Sequence, residues 1–261
     1  MTSAGWTDDL PQLVLGLAVG AFLLVVAWSE LARHAPAAAR VRAATRRGGG
    51  PGRLALAAVA LLVFVALAEE VLDRGQETGA IVTAVDRHVR ARARGWDALR
   101  PAARAVGWIT GRGLVIALLG ASGALLAASR ARLAGVVLGG SAAAWALAQA
   151  LKLAFRVARP GAPIRDWAIT GYGFPSAHAL VTVVVLGLVA WSVARGRSPA
   201  TRGALYVAVA VLAALTAVAR LIVGVHWASD VVAGIAAGVA CLQGITILGD
   251  RLAPPPEAPA A

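Results

Sequence analysis

The chain has 261 residues, of which 59% are hydrophobic and 15% are charged, and its formal net charge is +12. Soluble globular domains carry charge on about a quarter of their residues, so the composition excludes that class and indicates a polytopic membrane protein. No nucleic-acid motif and no stripe of basic and aromatic residues is present, so the positive charge fits anionic lipid head groups better than nucleic acid.

The first predicted element is a transmembrane helix at residues 11–32. The residues before it include two aspartates and no cation, whereas a signal peptide begins with positive charge, so we expect this helix to be retained. Residues 33–53 carry six arginines and end in a glycine-rich run, which predicts a flexible basic loop on the cytoplasmic side. Residues 1–53 are therefore predicted to precede the main membrane domain, residues 54–250.

Six further apolar runs are each long enough to cross a bilayer core of roughly 30 Å. They lie at residues 54–72, 113–129, 133–154, 177–194, 203–222 and 229–248. The polar segment 73–112 has apolar residues at helical spacing, which predicts a helix on the membrane surface or a solvated helix packed on the bundle. Residues 251–261 are proline-rich and are predicted to be disordered. The predicted fold class is an all-α polytopic membrane protein, with a six-helix transmembrane core and one extra N-terminal transmembrane helix.

The alternation of seven crossings predicts on which side of the membrane each connector lies. With the basic loop inside, the segments 73–112, 155–176 and 223–228 fall outside, together with the N-terminus. Glycines four residues apart would let neighbouring helices approach closely. These pairs are Gly16/Gly20, Gly135/Gly139 and Gly234/Gly238. The only cysteine, Cys241, lies in an apolar run, so the chain can form neither an internal disulfide nor a thiolate metal site.

The stretch from Arg220 to Asp230 is the first candidate for chemistry. If the last apolar run begins as a helix, His226 and Asp230 lie one turn apart, and the carboxylate can orient the imidazole and stabilise its charge. Arg220 keeps its charge and can bind phosphate-like oxygens through two hydrogen bonds. The combination indicates a histidine nucleophile for a phosphoryl group. From this stretch alone, the alternative is an interfacial His–Asp pair beside an arginine that extends toward the interface.

Two further stretches are predicted on the same side as His226. Lys152, Arg156 and Arg159 are spaced by four and three, so we expect them on one helical face at the end of a span, before Pro160 turns the chain away. Cations at a helix end usually extend toward the interface, but Lys152 is the only lysine of the chain and lies away from the basic loops.

The second of these stretches, from Pro175 to His178, opens the next span. Ser176 is placed as an N-cap, so free backbone amides and the helix dipole are predicted to point at an anion in the interface. His178, in the first turn, can protonate a leaving oxygen. Taken alone the motif is weak, because Pro-Ser is an ordinary helix start.

Together, the three stretches resemble the type 2 phosphatidic acid phosphatase family. The resemblance rests on Lys-x6-Arg-Pro, Pro-Ser-Ala-His and Arg-x5-His-x3-Asp, in this order and at alternate helix ends, and it covers residues 54–248. This family includes bacterial polyprenyl-pyrophosphate phosphatases and, more distantly, soluble vanadium haloperoxidases. The chain departs from the family pattern at Ala177, where glycine is usual, and at Ala219, where serine is usual.

The resemblance implies a role for each motif residue. The implied phosphate-binding positions are Lys152, Arg159, Ser176, Ala177 and Arg220. His226 is implied to attack the phosphorus and become a phosphohistidine, Asp230 to orient its ring, and His178 to protonate the departing oxygen and then activate water. Since three fixed cations surround the phosphoryl group, the resemblance implies that no metal and no other cofactor is required.

The predicted function is metal-independent dephosphorylation of a membrane lipid, with an undecaprenyl-type polyprenyl pyrophosphate as the first choice of substrate. A phosphatidate or phosphatidylglycerol phosphate phosphatase, a lipid phosphotransferase and a catalytically silent lipid-binding scaffold are the alternatives. A transporter is disfavoured, because no span carries a charged pair at mid-membrane. The expected partners are the lipid substrate and the bilayer, and the expected location is a bacterial inner membrane with the site facing outward.

Overall fold

The computed structural model describes residues 50–73, 80–160 and 171–254. The helix predicted at 11–32, most of the basic loop and most of the proline-rich tail lie outside these ranges. The chain divides into two compact units, residues 1–56 and 57–261, and the helix bundle with its site belongs to the second.

The described residues form eight α-helices and contain no strand, which confirms the all-α prediction. In chain order they are α1 (Pro51–Leu72), α2 (Ala80–Arg94), α3 (Arg100–Trp108), α4 (Leu114–Ala127), α5 (Ala131–Phe155), α6 (Ala177–Ala194), α7 (Pro199–Val223) and α8 (Ala228–Leu252). A 3-10 turn at Asp97–Leu99 leads into α3, and a π-helical turn at Ile109–Gly113 joins α3 to α4. Six helical segments of this region are long and apolar enough to cross a membrane, as the six-span core requires.

One predicted boundary is wrong, because the second of these six spans begins earlier than residue 113. The helical segment runs without interruption from Asp97 to Ala127 and has 31 residues, about 46 Å at 1.5 Å per residue. The first half of this segment carries several arginines, so its composition predicts a polar connector. One of them, Arg100, forms an ion pair with Asp97 at 2.8 Å. A helix of this length exceeds a bilayer core of roughly 30 Å, so its first turns can place arginines outside the apolar layer.

Helix α6 is the centre of the bundle and packs against α5, α7 and α8. Its contact with α8 is close because of glycine. A Cβ atom added at Gly234 would lie 3.1 Å from the Cβ of Ala179, and one added at Gly238 would lie 2.9 Å from the carbonyl oxygen of Leu180. The predicted packing role of this glycine pair is therefore confirmed.

The corresponding prediction for Gly135 and Gly139 finds no support among the described helices. A Cβ at either position would have no described atom within 4 Å, so this face of α5 does not contact another described helix closely. Gly140, the next residue, takes the packing role instead, since a Cβ there would lie 2.7 Å from Ile245 and 2.8 Å from Leu188. The pair Gly16/Gly20 lies outside the described residues.

At the end of the bundle away from the three sequence motifs, a polar cluster joins α6 to α8. Arg195 Nη1 donates to Asp250 Oδ1 at 2.8 Å, and Trp191 Nε1 donates to the same oxygen at 3.2 Å. The Arg195 guanidinium also lies over the Trp191 ring, 4.6 Å from its centroid, and donates to the carbonyl of Ala253. The contacts of the Arg195 guanidinium with Asp250, Trp191 and Ala253 thus hold α6 and α8 together at this end of the bundle.

Candidate active site

Four segments meet at the opposite end of the bundle: the end of α5, the turn before α6, the end of α7 and the turn before α8. They bring together polar side chains that are unusually buried for their type. The buried ones are Lys152, Ser176, Arg220, His226 and Asp230. His178 lies within electrostatic range of Arg220, His226, Arg159 and Lys152. All the predicted catalytic and phosphate-binding side chains therefore lie in one cluster. It holds three cations and one carboxylate, so a bound anion would offset part of the excess positive charge.

His226 and Asp230 form a dyad at the start of α8. His226 Nδ1 and Asp230 Oδ2 are 3.2 Å apart, and the same oxygen accepts from the backbone N–H of Trp227 at 3.0 Å. His226 lies before the first helical residue, so the contact comes from the cap geometry rather than from two residues on one helical face. Because a carboxylate faces Nδ1, this nitrogen carries the proton and Nε2 keeps its lone pair.

The burial of His226 favours its neutral form. Desolvation lowers the pKa of His226 to about 4, although the hydrogen bond and the charge of Asp230 act to raise that pKa. The charges of Arg159 and Lys152 act in the same direction as burial. At neutral pH the imidazole is therefore uncharged, which is the form that can attack phosphorus.

Arg159 lies directly beside the Nε2 atom of His226. Its Nη1 atom donates to the carbonyl of Val225 at 3.0 Å and contacts His226 Nε2 at 3.1 Å, and its Nε donates to the carbonyl of Gly171 at 3.2 Å. Burial lowers the pKa of Arg159, and the charge of Asp230 partly opposes this effect. A phosphoryl group that reaches Nε2 would therefore meet the guanidinium at once.

Lys152 and Arg159 are brought together, but not in the predicted way. Helix α5 ends at Phe155, and Arg156 has a left-handed backbone with φ of 51°, so Lys152, Arg156 and Arg159 do not share a helical face. Arg156 is exposed and donates to the carbonyl of Leu153. The prediction let the helix continue up to Pro160, but proline restricts only the residue before it, and the helix ends earlier at a left-handed cap.

The segment before α6 is held by Lys152 and by an aromatic cluster. Lys152 Nζ donates to the carbonyls of Tyr172 and Gly173 at 2.7 and 3.1 Å. The fully buried ring of Phe174 packs against Phe155 with centroids 5.1 Å apart, and also against Phe64 of α1. These contacts fix the chain immediately before Ser176.

Ser176 occupies the N-cap position of α6, as predicted, but its side chain makes no capping bond. Its backbone N–H donates to the carbonyl of Asp230 at 2.8 Å, while its Oγ atom is buried without a hydrogen-bond partner among the described residues. The first amides of the helix, at Ala177 and His178, have no intrahelical acceptor. The hydroxyl and these amides form a set of donors suited to an anion.

The sequence reasoning missed the helical segment that covers the site. A Cβ on Gly107 would lie 2.8 Å from Cζ of Arg220 and closer still to its Nη2, so α3 lies directly against the guanidinium. A Cβ on Gly111, in the π-helical turn, would lie 3.6 Å from Nε2 of His178. The glycines are four residues apart, a spacing that signals close packing, but they lie in the segment that was predicted to be a connector.

Asp86 is a further residue near the site that the sequence pattern does not predict. It is buried on α2, and its carboxylate accepts from the backbone N–H and the hydroxyl of Ser229 at 2.9 and 2.7 Å. Helix α2 packs on α7 and α8, as the second of the two alternatives for this segment requires. Because Ser229 lies between His226 and Asp230, the carboxylate of Asp86 holds the turn that carries the dyad.

The departure from the family pattern at Ala219 lies next to Arg220. Ala219 is buried in a small apolar cluster with Ala103, Ile222, Val223 and Val225, so its methyl group packs between α3 and α7. That its replacement of serine removes a hydrogen bond to phosphate remains a prediction.

Within the described ranges, no three side chains of His, Cys, Asp or Glu cluster as metal ligands would. The positive charges that face the site there belong to Lys152, Arg159 and Arg220.

Comparisons with known proteins identify one similar family and one similar solved structure. Residues 132–252 match the model of the PAP2 superfamily, and this range contains every predicted site residue. No curated protein sequence gives a significant match. The crystal structure of a transmembrane PAP2-type phosphatidylglycerolphosphate phosphatase from Bacillus subtilis is similar, with a TM-score of 0.65 and 18% sequence identity, over 75% of this chain and 96% of that one. At this identity the likeness is one of fold.

Proposed function

We propose that this membrane-spanning chain belongs to the PAP2 superfamily, whose model matches residues 132–252, and that it is a lipid phosphatase that works through a phosphohistidine at His226. Phosphatase activity is supported by the family match and by the fold. The substrate, the covalent intermediate and the roles of the individual side chains are our proposals, and the geometry of the site supports the last two.

The observation that carries the proposal is a pair of buried donors without partners beside the dyad. Ser176 Oγ and Arg220 Nε are buried and make no hydrogen bond to any described residue. Leaving a buried donor unsatisfied costs about 1–3 kcal/mol, so such groups point to a ligand that binds them. A phosphoryl group has oxygens for both, and its charge would offset that of the surrounding cations.

In the proposed first step, His226 Nε2 attacks phosphorus, and the bond from phosphorus to the lipid oxygen breaks. The proton on Nδ1 stays hydrogen-bonded to Asp230, which stabilises the positive ring of the phosphohistidine. His178 gives its proton to the departing oxygen. In the second step, water attacks phosphorus, its proton passes to His178, and the N–P bond breaks to release phosphate and neutral His226.

The three cations are proposed to neutralise the non-bridging oxygens during both steps. Arg159 is already at Nε2, Arg220 has its Nε unpaired among the described residues, and Lys152 has a third N–H beyond the two that bind carbonyls. Fixed donors of this kind stabilise charge that develops at the transition state, which is the role that magnesium has in kinases. This supports the expectation that the reaction needs no metal.

We propose a polyprenyl pyrophosphate of the undecaprenyl type as the substrate. The connector at 161–174 is short and leaves little protein to enclose a large polar head group. The terminal phosphate of a pyrophosphate projects furthest from the interface. Its leaving group is itself a phosphate, which needs less protonation by His178 than an alkoxide does. Phosphatidate and phosphatidylglycerol phosphate are the second choice, since the same site accepts any terminal phosphate monoester at a membrane surface.

Phosphate release by the purified chain in detergent tests the substrate. We expect polyprenyl pyrophosphate to give a higher kcat/KM than phosphatidate or phosphatidylglycerol phosphate, inhibition by vanadate, and no loss of activity with EDTA. A tenfold preference for phosphatidate, about 1.4 kcal/mol in transition-state binding, would overturn the substrate choice. Activity that is lost with EDTA and restored by magnesium would overturn the cationic mechanism. Phosphoryl transfer to an added alcohol in place of water would identify a phosphotransferase.

We also propose that the site faces outward from a bacterial inner membrane. Impermeant maleimide labelling of intact cells, on a Cys241→Ser background, tests this with two exposed positions at opposite ends of the bundle. A cysteine at Arg92 of α2, at the site end, should react, and one at Arg197, in the turn between α6 and α7, should not. The opposite pattern would place the site in the cytoplasm and change the available lipids.

A further inference from the structure

A second basic region lies beside the catalytic site and is not used by the proposed mechanism. It is a cavity of about 340 Å³. The cavity is lined by Arg87, Arg90, Ala91, Arg94 and Trp227. The four residues from α2 follow the spacing of three and four that places side chains on one helical face. Trp227 forms the facing wall, and it directly follows His226 in the chain.

The chemistry of the lining favours an anion. Three of the five lining residues are arginines and none is acidic. The guanidinium of Arg90 lies over the Trp227 ring, 5.1 Å from its centroid. Burial lowers the pKa of Arg90, and the nearby charge of Arg94 lowers it further. Guanidinium groups that are held close together in a concave surface repel each other, and a phosphate group, which each can bind through two hydrogen bonds, relieves this repulsion.

The position of this cavity is fixed relative to the catalytic dyad. Asp86, the residue before Arg87, is bonded to Ser229 at the start of α8, and Arg90 lies over Trp227. None of the three cations assigned to the catalytic phosphoryl group lines the cavity. It is therefore a neighbouring cluster on a different helix, held at the same end of the bundle.

We propose that this cavity is a second phosphate-binding site, distinct from the one at His226. Its ligand is a phosphate group, carried by the head group of an anionic phospholipid or free as inorganic phosphate. Because the site touches no reacting atom, its occupancy acts on the binding of an anionic lipid to the enzyme and leaves the chemical step unchanged. The site is formed by the arginines of α2 and by Trp227, so it stands whether or not His226 is the nucleophile.

Lipid retention by the purified full-length chain tests the proposal. The pocket variant is Arg87→Gln with Arg94→Gln, and the matched control is Arg92→Gln with Arg104→Gln, which removes the same charge from exposed positions outside the cavity. Native mass spectrometry would count phosphatidylglycerol, phosphatidylcholine and inorganic phosphate bound to each protein. We expect the wild type and the control to retain one more phosphatidylglycerol or phosphate than the pocket variant, whose occupancy falls at least tenfold.

The outcomes separate the sources of the phosphate and the rival explanations. Loss of phosphatidylglycerol from the pocket variant identifies a lipid head group, and loss of phosphate alone identifies the free anion. Equal retention by the two double variants would overturn the proposal, and so would equal retention of phosphatidylcholine and phosphatidylglycerol by the wild type. Hydrolysis of an aryl phosphate should match the wild type in both variants, and its loss in the pocket variant alone would make the arginines part of the catalytic site. If the pocket variant fails to fold, Arg94→Gln against Arg92→Gln gives the same comparison.

Discussion

Replacement of His226 by alanine is expected to lower phosphate release by on the order of 10⁴-fold or more, for lipid and aryl phosphates alike. The reason is that Nε2 is the proposed nucleophilic atom of the dyad, and it lies beside the Arg159 guanidinium. His178→Ala is expected to give a different pattern, with a much larger loss on phosphatidate than on an activated aryl phosphate. An aryl oxide leaves without a proton, whereas an alkoxide requires one.

Steady-state rates on both substrates, combined with trapping of the phosphoenzyme from a ³²P-labelled substrate, check this pair. His226→Ala should give no acid-labile phosphoprotein. Asp230→Asn has nearly the same shape as the wild type and keeps His226, but it removes the negative charge beside Nδ1. Turnover by His226→Ala within tenfold of the wild type would exclude a phosphohistidine there. Equal losses on the two substrates would remove His178 from the role of general acid.

Replacement of Gly107 by alanine is expected to lower kcat/KM by roughly 10²-fold, although Gly107 has no side chain and does no chemistry. The new Cβ would lie 2.8 Å from Cζ of Arg220, so the guanidinium or the helix must move. A displacement of about 1 Å at a phosphoryl-binding group is enough for a loss of this size. The measurement is kcat/KM on an aryl phosphate, together with the thermal unfolding midpoint.

Gly123→Ala is the matched control, because it lies in the same helical segment and a Cβ there would have no atom of the described residues within 4 Å. It should leave kcat/KM unchanged. On an Arg220→Ala background, Gly107→Ala should cause no further loss, since the two changes act through one group. A full additional loss on that background would mean that Gly107 acts through the packing of α3 and not through Arg220.

The sequence predicts which candidate side chains come together better than it predicts the backbone geometry that brings them together. The order of the motifs at alternate helix ends places Lys152, Ser176, Arg220 and His226 at one end of a six-span bundle, because successive membrane helices run in opposite directions. The left-handed backbone of Arg156 could not be predicted, because neither arginine nor its neighbours marks such a cap in the way that glycine does.

The covering segment was missed for a different reason. Arg100, Arg104 and Arg112 lower the local hydropathy. The pattern therefore predicts a connector around Gly107 and Gly111 and not the start of a span. A guanidinium at the end of a long helix can remain in the polar layer, so charge alone does not mark the end of a transmembrane segment. The contact of Asp86 with Ser229 joins residues 143 positions apart, and no local pattern encodes it.

The hydrogen bond between Arg159 and Nε2 of His226 gives the enzyme a way to recognise charge before any bond is formed. The lone pair that we propose attacks phosphorus is covered by the guanidinium, so an approaching head group would have to draw that guanidinium onto its own oxygens to reach Nε2. Breaking such a hydrogen bond costs about 1 kcal/mol net, which an anionic phosphate recovers through the same arginine. An uncharged head group has nothing to offer in exchange and leaves the imidazole shielded. On the proposed mechanism, only an anionic head group would displace Arg159 from Nε2, so most lipids of the membrane would leave His226 covered.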